Sequence, residues 1–337
     1  MFLPGESAYW SHRGMSNYMK GFLTLLAAET DVEIEIRYIP WQVNRKVGYI
    51  ARHLFFWCVV PFLVRKDQLV VCGFNIGPMF GPRDRVICVV HDLIELRAKS
   101  IVRRSFAGLS AFFYGKYGHL IAPSRCTRLE LVTLFGLKGS TVSVIYNFID
   151  RRVQNAVIPL KKRRSARYFD FILFYGAGVS KNCRFAFEVL KQYALRQEGH
   201  KLNILIFGSA RYTNEMNTSL FNIRWEEKVS NQHKFELMSD AKFLLFPSVE
   251  EGFGIPVIEA WVCDVIPLCS DLPITREVLG SAEMLESFFF NPTDLNSVLF
   301  SMKRAFELPD EFSLRPYHGA EQAKEQFRVW LQKFEKI

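Results

Sequence analysis

Phe243-Leu-Leu-Phe246 is apolar at every position. A strand that alternates keeps one wet face, whereas an unbroken apolar run of this length reads as a strand covered on both faces, as in a parallel sheet. A loop follows, in which Gly252 and Gly254 free the backbone for close approach to a ligand. Pro256 suits the first turn of a helix, and Val257 to Cys263 continues as that helix. The helix start presents unpaired N–H groups and a partial positive charge, a natural place for a phosphate or a sugar oxygen. Glu251 stands in the loop and Glu259 about one turn into the helix, so both carboxylates can point into one cleft at the carboxyl end of the strand.

The same strand-then-helix rhythm recurs along the chain. Val32 to Ile39 alternates strictly and predicts a strand. Strand-length runs follow at Asp67–Cys72, Arg85–Val90 and Thr141–Ile145, with a short strand and turn over His119–Ser124 and a helix over Ser124–Phe135. The alternation restarts with a strand at Asp170–Tyr175, a turn at Gly176-Ala-Gly178, a helix from Lys181 to Tyr193 and a strand at Leu202–Phe207 ending at Gly208. Val229–Ala241 predicts a turn and a helix, Val265–Ser270 a strand, and Tyr317–Phe334 an amphipathic helix. Repeated βα units specify an α/β fold with parallel sheets.

At 337 residues the chain has room for two such domains, and 49% hydrophobic content with 31 phenylalanines excludes a disordered one. Its net charge of +9 is uneven: residues 1–170 hold 25 of the 43 Lys+Arg but 12 of the 34 Asp+Glu, leaving the remainder net negative. A basic first half suits a polyanionic or membrane-surface partner. Residues 156–168, with Lys161-Lys-Arg-Arg164, read as a basic linker, and no nucleic-acid module accompanies them. The domains expected are therefore 1–155 and 169–316, with 317–337 as a terminal helix.

The seven cysteines are odd in number and none has Cys-x-x-Cys spacing, which suits small core residues in a reducing cytoplasm. Ile50 to Val64 is apolar with basic flanks, Arg45-Lys46 and Arg65-Lys66. It is too short to span a bilayer, and reads either as a helix at a membrane interface or as a buried domain helix. Met1 to Glu6 lacks the basic start and apolar stretch of a secretory signal, so a soluble or peripheral cytoplasmic chain is expected.

Pro-Ser-x-x-Glu-Gly-Phe-Gly-x-Pro-x-x-Glu-Ala, here residues 247–260, resembles the signature of the retaining family 4 glycosyltransferases. That resemblance implies the GT-B fold: two Rossmann-like domains facing each other across a cleft, with a C-terminal helix returning to the first. It implies transfer of a hexose from a nucleotide sugar (UDP-, GDP- or dTDP-linked) to a glycan or polyprenyl-diphosphate-linked acceptor in surface polysaccharide or lipopolysaccharide biosynthesis. By the same resemblance Glu251 holds donor-sugar hydroxyls, Glu259 binds the ribose, and Phe253, Gly254 and Ile255 present their amides. Lys181, in Val179-Ser-Lys-Asn182, meets the leaving diphosphate, and Gly208 opens a loop beside the base.

His91-Asp-Leu93, at the end of a valine-rich strand, is similar to a subgroup in which the histidine lines the sugar pocket; mannose- and rhamnose-type donors go with it. His91 is the candidate catalytic residue of the first half, with Glu251 in the second. Gly14-Met-Ser-Asn-Tyr18 resembles the family's diphosphate-binding turn, with Ser16 and Asn17 where glycine and arginine are usual; Ser11 or Ser16 acting as a helix cap is the structural alternative. Ser180 stands where an arginine is usual, Phe148 follows Asn147 in place of glycine, and Asp264 occupies a turn where relatives carry glycine. No Asp-x-Asp and no His/Cys cluster occurs, so neither a catalytic metal nor another cofactor is expected. The losses at Ser16, Asn17 and Ser180 motivate an alternative, a sugar-nucleotide-binding pseudoenzyme that serves as a scaffold.

Overall fold

The computed structural model describes residues 2–5, 14–31, 33, 35–38, 50–51, 53–65, 68–149, 163–176, 179–197, 200–208, 219–227, 229–280, 283–314 and 317–333. They form two units, Met1–Phe148 with Gly319–Ile337, and Ile149–His318. Arg13, Arg45-Lys46 and linker residues 156–162 lie outside the described residues.

In the first unit, strands β1 (Phe2–Gly5), β2 (Glu35–Tyr38), β3 (Val70–Cys72), β4 (Val86–Val89), β5 (His119–Ala122) and β6 (Val142–Val144) make one sheet in the order β2-β1-β3-β4-β5-β6. Every pairing is parallel. The order reverses between β1 and β3, which opens a crevice at their carboxyl ends. Helix α1 (Gly14–Glu29) follows β1, so Gly14 to Tyr18, expected as a turn, are helical, and Ser11 lies outside the described residues. Between β2 and β3 a π-helical turn, Phe55–Val59, leads into α2 (Val60–Leu63). Pro61 has no N–H for the carbonyl of Trp57, which accepts the Met79 N–H at 3.4 Å instead, and the Val60 N–H reaches back to Phe55 O. Phe55, Phe56, Trp57 and Val60 are buried, so this segment packs as a domain helix on that face. Helices α3 (Ile101–Phe112) and α4 (Arg125–Phe135) complete this half, and Ser124 caps α4 by accepting the Thr127 N–H at 2.9 Å.

The second unit's strands are β7 (Phe169–Phe174), β8 (Leu202–Phe207), β9 (Phe221–Glu226), β10 (Ala241–Phe246), β11 (Ile266–Ser270) and β12 (Phe289–Phe290). They too are all parallel, in the order β12-β11-β10-β7-β8-β9. Read outward from β7, this is the dinucleotide-binding order, with its reversal between β7 and β10. Helices α5 (Cys183–Ala194), α6 (Asn231–Ser239), α7 (Ile255–Val262), α8 (Pro273–Leu279) and α9 (Leu295–Phe306) connect the strands. Phe171, Phe243 and Phe306 cluster on one side of the sheet, with Phe243 and Phe306 ring centroids 4.5 Å apart.

Arg164 and Arg167, expected in a solvated linker, are buried in this unit. Arg164 donates to Leu308 O and Pro309 O. Arg167 donates to Ala241 O and Asp264 O and pairs with the Asp264 carboxylate at 3.3 Å. Asp264 is left-handed at φ 59°, and its carboxylate also accepts from Ser313 Oγ and Leu314 N, both at 2.8 Å. The aspartate therefore fastens the segment after α9 to the end of α7, a task that glycine has no side chain to perform.

Helix α10 (Gly319–Leu331) belongs to the first unit. Phe327 and Trp330, both at most 1% exposed, pack edge-on against Phe22 of α1, with centroids 5.3 and 5.4 Å away. Gln326 accepts the Tyr146 N–H, and Arg328 and Lys324 pair with Glu29. Phe148, where glycine was expected, rests its ring against Gly21 of α1 and joins the same cluster. Cys72, Cys88, Cys263 and Cys269 are buried, and among the described residues no helix is long and apolar enough to cross a membrane.

Candidate active site

The reversal between β7 and β10 brings together the two loops that the sequence singled out in the second unit. Ser180 lends its carbonyl, not its side chain, to the junction: it accepts the Val249 N–H at 2.8 Å and so ties the loop after β7 to the loop after β10. Lys181 Nζ then lies 2.5 Å from Glu251 Oε1 and 5.6 Å from the Phe246 ring centroid. The Glu251 side chain is 10% exposed and that of Lys181 32%, so the lysine forms the wetter rim of the pair. Asn182, left-handed at φ 50°, turns the chain into α5 and donates its side-chain amide to Pro292 O. That turn fixes the lysine next to it.

Gly254 is left-handed at φ 84° and opens α7, with Pro256 in the first turn. A side chain at 254 would be strained. Gly254 O accepts from Val257 N at 2.9 Å. Phe253 is buried and Ile255 half-buried.

Glu259 is 3% exposed, and its carboxylate is held by Lys234 of α6. Nothing in the sequence singled out Lys234, which reads as one cation on a polar helix. It is nonetheless 13% exposed at its side chain and pairs with the second glutamate of the motif. Both motif glutamates thus carry a lysine partner. Gly208 ends β8 with φ 151°, its N–H on Glu226 O at 2.9 Å, and a Cβ there would sit 2.5 Å from Tyr175 O. Only glycine lets the ends of β7 and β8 approach so closely.

In the first unit His91 follows β4 and is 6% exposed. Its Nε2 is 2.8 Å from Gly73 O, and since a carbonyl only accepts, the proton is on Nε2 and Nδ1 is the acceptor. Its backbone N–H donates to Asn75 Oδ1 at 2.6 Å, and Tyr18 of α1 packs edge-on at 5.1 Å. Burial pushes the imidazole down to about 4, against the pull of the Gly73 carbonyl, so it is neutral at neutral pH. Asn75 also donates to Asp92 O and adopts φ 61°. Its place at the carboxyl end of β3 was a readable signal that the sequence analysis did not use. Gly14, by contrast, is exposed at the start of α1.

Beside the His91 loop is a recess of about 190 Å³ whose polar lining comes from His53, Asn75, Asp92, Glu95, Ser110 and Tyr114. Met15, Phe74 and Leu93 supply apolar wall. The Ser110 hydroxyl is buried there without a hydrogen-bond partner. Carboxylates, an amide and hydroxyls over apolar walls suit a polyhydroxylated ligand.

A family model described as glycosyl transferases group 1 matches residues 161–318, and one described as glycosyltransferase family 4 matches residues 34–153. The chain is 25% identical over 339 residues to the O-antigen chain mannosyltransferase RfbU of Salmonella typhimurium, covering 90% of each chain. A shorter match, 27% over 103 residues, joins 31% of this chain to 26% of the O-antigen chain mannosyltransferase B of Escherichia coli. In fold it is similar to WaaG, a glycosyltransferase involved in lipopolysaccharide biosynthesis, with a TM-score of 0.62 at 13% identity over 98% of this chain and 95% of that one. Anabaena HepE, solved with UDP and glucose, aligns with a TM-score of 0.65 at 12% identity over 100% and 99% of the two chains. Between them the two family models cover most of both halves, and with the two parallel-sheet units they make this chain a family 4-like glycosyltransferase with the GT-B fold.

Proposed function

We propose that the protein transfers a hexose, with retention of anomeric configuration and without a metal ion, from a nucleotide sugar to a glycan or lipid-linked acceptor in surface polysaccharide biosynthesis. The observation that carries this reading is the Lys181–Glu251 pair at the strand-order reversal, beside the helix opened by Gly254. Mannose is the favoured sugar, because RfbU is an O-antigen mannosyltransferase and His91-Asp-Leu93 fits the same group.

Lys181 exchanges Glu251 for the donor diphosphate, and the start of α7 adds its dipole to that charge. Glu251, released, takes hydroxyls of the donor sugar, while Glu259 takes the ribose and gives up Lys234. The acceptor hydroxyl attacks the anomeric carbon from the side of the departing diphosphate. The bond from that carbon to phosphate oxygen breaks, and the acceptor's proton passes to the phosphate oxygen that leaves. Neutral His91, with its proton committed to Gly73 O, offers Nδ1 to a sugar hydroxyl and positions the ring. The recess lined by Asp92, Glu95 and Ser110 receives the acceptor's terminal sugar. The chain works at the cytoplasmic face of the membrane that holds the acceptor.

The test is nucleotide release, followed with GDP-, UDP- and dTDP-sugars and a lipid-linked acceptor extract, with proton NMR of the product's anomeric centre. Release of GDP from GDP-mannose and an α-linked product are expected. Nucleotide binding with no transfer from any donor would leave a scaffold and sink the enzyme reading.

A further inference from the structure

Three phenylalanines of the first unit are turned to solvent: Phe62 at 85% exposure, Phe80 at 61% and Phe112 at 63%. They come from three segments that touch one another. The Met79 N–H bonds Trp57 O, and a Cβ on Gly81 would lie 3.5 Å from Pro61, so the loop that carries Phe80 runs beside α2. Arg83 binds Met79 O at 3.1 Å and lies 5.6 Å from the Phe113 ring, which fastens the same loop to the end of α3. Trp57 stacks on Phe106 of α3 at 5.2 Å, joining the two helices directly. Ile101, Val102 and Leu109, all exposed, extend the apolar strip from Phe112 along α3.

The charge along this strip is mainly positive. From Arg97 to Arg128 the chain has no acid and includes Lys99, Arg103, Arg104 and Lys116, and Arg83 stands in the loop that carries Phe80. Lys116 Nζ is 4.1 Å from the Phe112 ring centroid. Among the described residues the acids at the border include Asp84, Glu95 and Glu130; Glu95 is 3.7 Å from Arg103 and Glu130 2.6 Å from Arg97.

We propose that Phe62, Phe80 and Phe112, with the cations around them, dock the first unit on an anionic lipid bilayer. Exposed aromatic rings insert at the boundary of headgroups and acyl chains, and flanking lysines and arginines reach anionic headgroups. The charge selects this occupant: a second copy would bring the same cations against these, and a neutral partner would leave them unused. The rings are too few to hold the protein without the charge, so docking is reversible and sensitive to salt. The inference rests on the lipid-linked acceptor for its purpose, and the experiment separates the two.

Full-length protein is floated with vesicles of phosphatidylethanolamine and phosphatidylglycerol, and with vesicles of phosphatidylcholine alone. Binding to the anionic vesicles only, weakened by salt, is expected. The variant Phe62→Ser/Phe80→Ser/Phe112→Ser should lose about tenfold in bound fraction, with unchanged melting temperature and nucleotide affinity. Wild type that ignores anionic vesicles, a triple variant that floats as well as wild type, or a wild-type dimer that the triple variant dissolves would each overturn the proposal. Vesicle binding as expected, with no transfer to a water-soluble acceptor analogue, would refute the transferase reading and leave docking intact.

Discussion

Lys181 and Glu251 stand 2.5 Å apart on two loops that meet where the strand order reverses, so the cation proposed for the diphosphate and the carboxylate proposed for the sugar hold each other in place. In the proposed reaction the donor parts them, and the two halves of the pair should fail differently when replaced. Lys181→Met should raise the dissociation constant for a nucleotide diphosphate roughly 10- to 100-fold, the weight of a charge-assisted contact. Glu251→Gln should keep nucleotide affinity within about threefold while lowering kcat about a hundredfold. Calorimetric titration and steady-state kinetics check both, and identical behaviour of the two variants would contradict the assignment.

Glu259 is a different case because Lys234 and the carboxylate are both well covered. Removing one partner leaves an uncompensated charge, so Glu259→Ala should destabilise the protein by about 3 kcal/mol as well as weaken nucleotide binding. Lys234→Met/Glu259→Leu should recover most of that stability, since an apolar pair of similar volume replaces the ions, and should not recover nucleotide binding. Urea denaturation beside calorimetry separates the two effects.

The elements themselves were largely legible, and the failures have physical causes. Leu202–Phe207 is a strand to the residue, because six apolar-rich positions between turns leave a buried parallel strand little alternative. β1, Phe2-Leu-Pro-Gly5, carries a proline and a glycine and reads as coil; its pairing with Glu35–Tyr38, distant in sequence, makes it a strand. β9 alternates and could have been read. In the site, Glu251, Glu259 and Gly254 announce themselves by spacing, while Lys234 and Asn75 act through partners that only the tertiary fold supplies. Arg167 was misplaced for the same reason: composition marks a basic run as solvated, and the half-buried carboxylate of Asp264 lies almost a hundred residues further on.

Acid should loosen the first unit before it protonates the folded His91. The folded imidazole is held down to about 4 by burial while the unfolded chain titrates near the ordinary value of 6.5, so its contribution is complete above that value. As pH falls from 6.5 towards 4 the unfolded state gains a proton that the folded state refuses, and up to about 3 kcal/mol is lost. His119, beside Ser143 and the Lys333 ammonium, is also lowered to about 4, by burial first and then by that charge, and adds in the same direction. Denaturant midpoints across this range should fall, and less steeply in His119→Phe; a flat profile would contradict the burial of both rings.

Gly208→Ala should cost roughly 2–4 kcal/mol, because it combines a backbone conformation reserved for glycine with a methyl group against the Tyr175 carbonyl. Asp264→Gly should be comparably harmful although it relieves a left-handed residue, since Ser313 and Leu314 lose the carboxylate they donate to and Arg167 loses its ion-pair partner; Asp264→Asn should be milder. Thermal melts of the three variants rank these expectations.

The return of α10 to the first unit has a consequence for synthesis. Phe22 leaves the ribosome well before Phe327 and Trp330, which cover it. The second unit, Ile149–His318, is complete in the chain before them. The usual vectorial order is therefore inverted: the later domain has all its parts first, and the nascent first domain waits with an apolar groove open until α10 emerges. A chaperone that shields apolar surface has its longest window at α1, and a premature stop before residue 327 would leave that groove open for good.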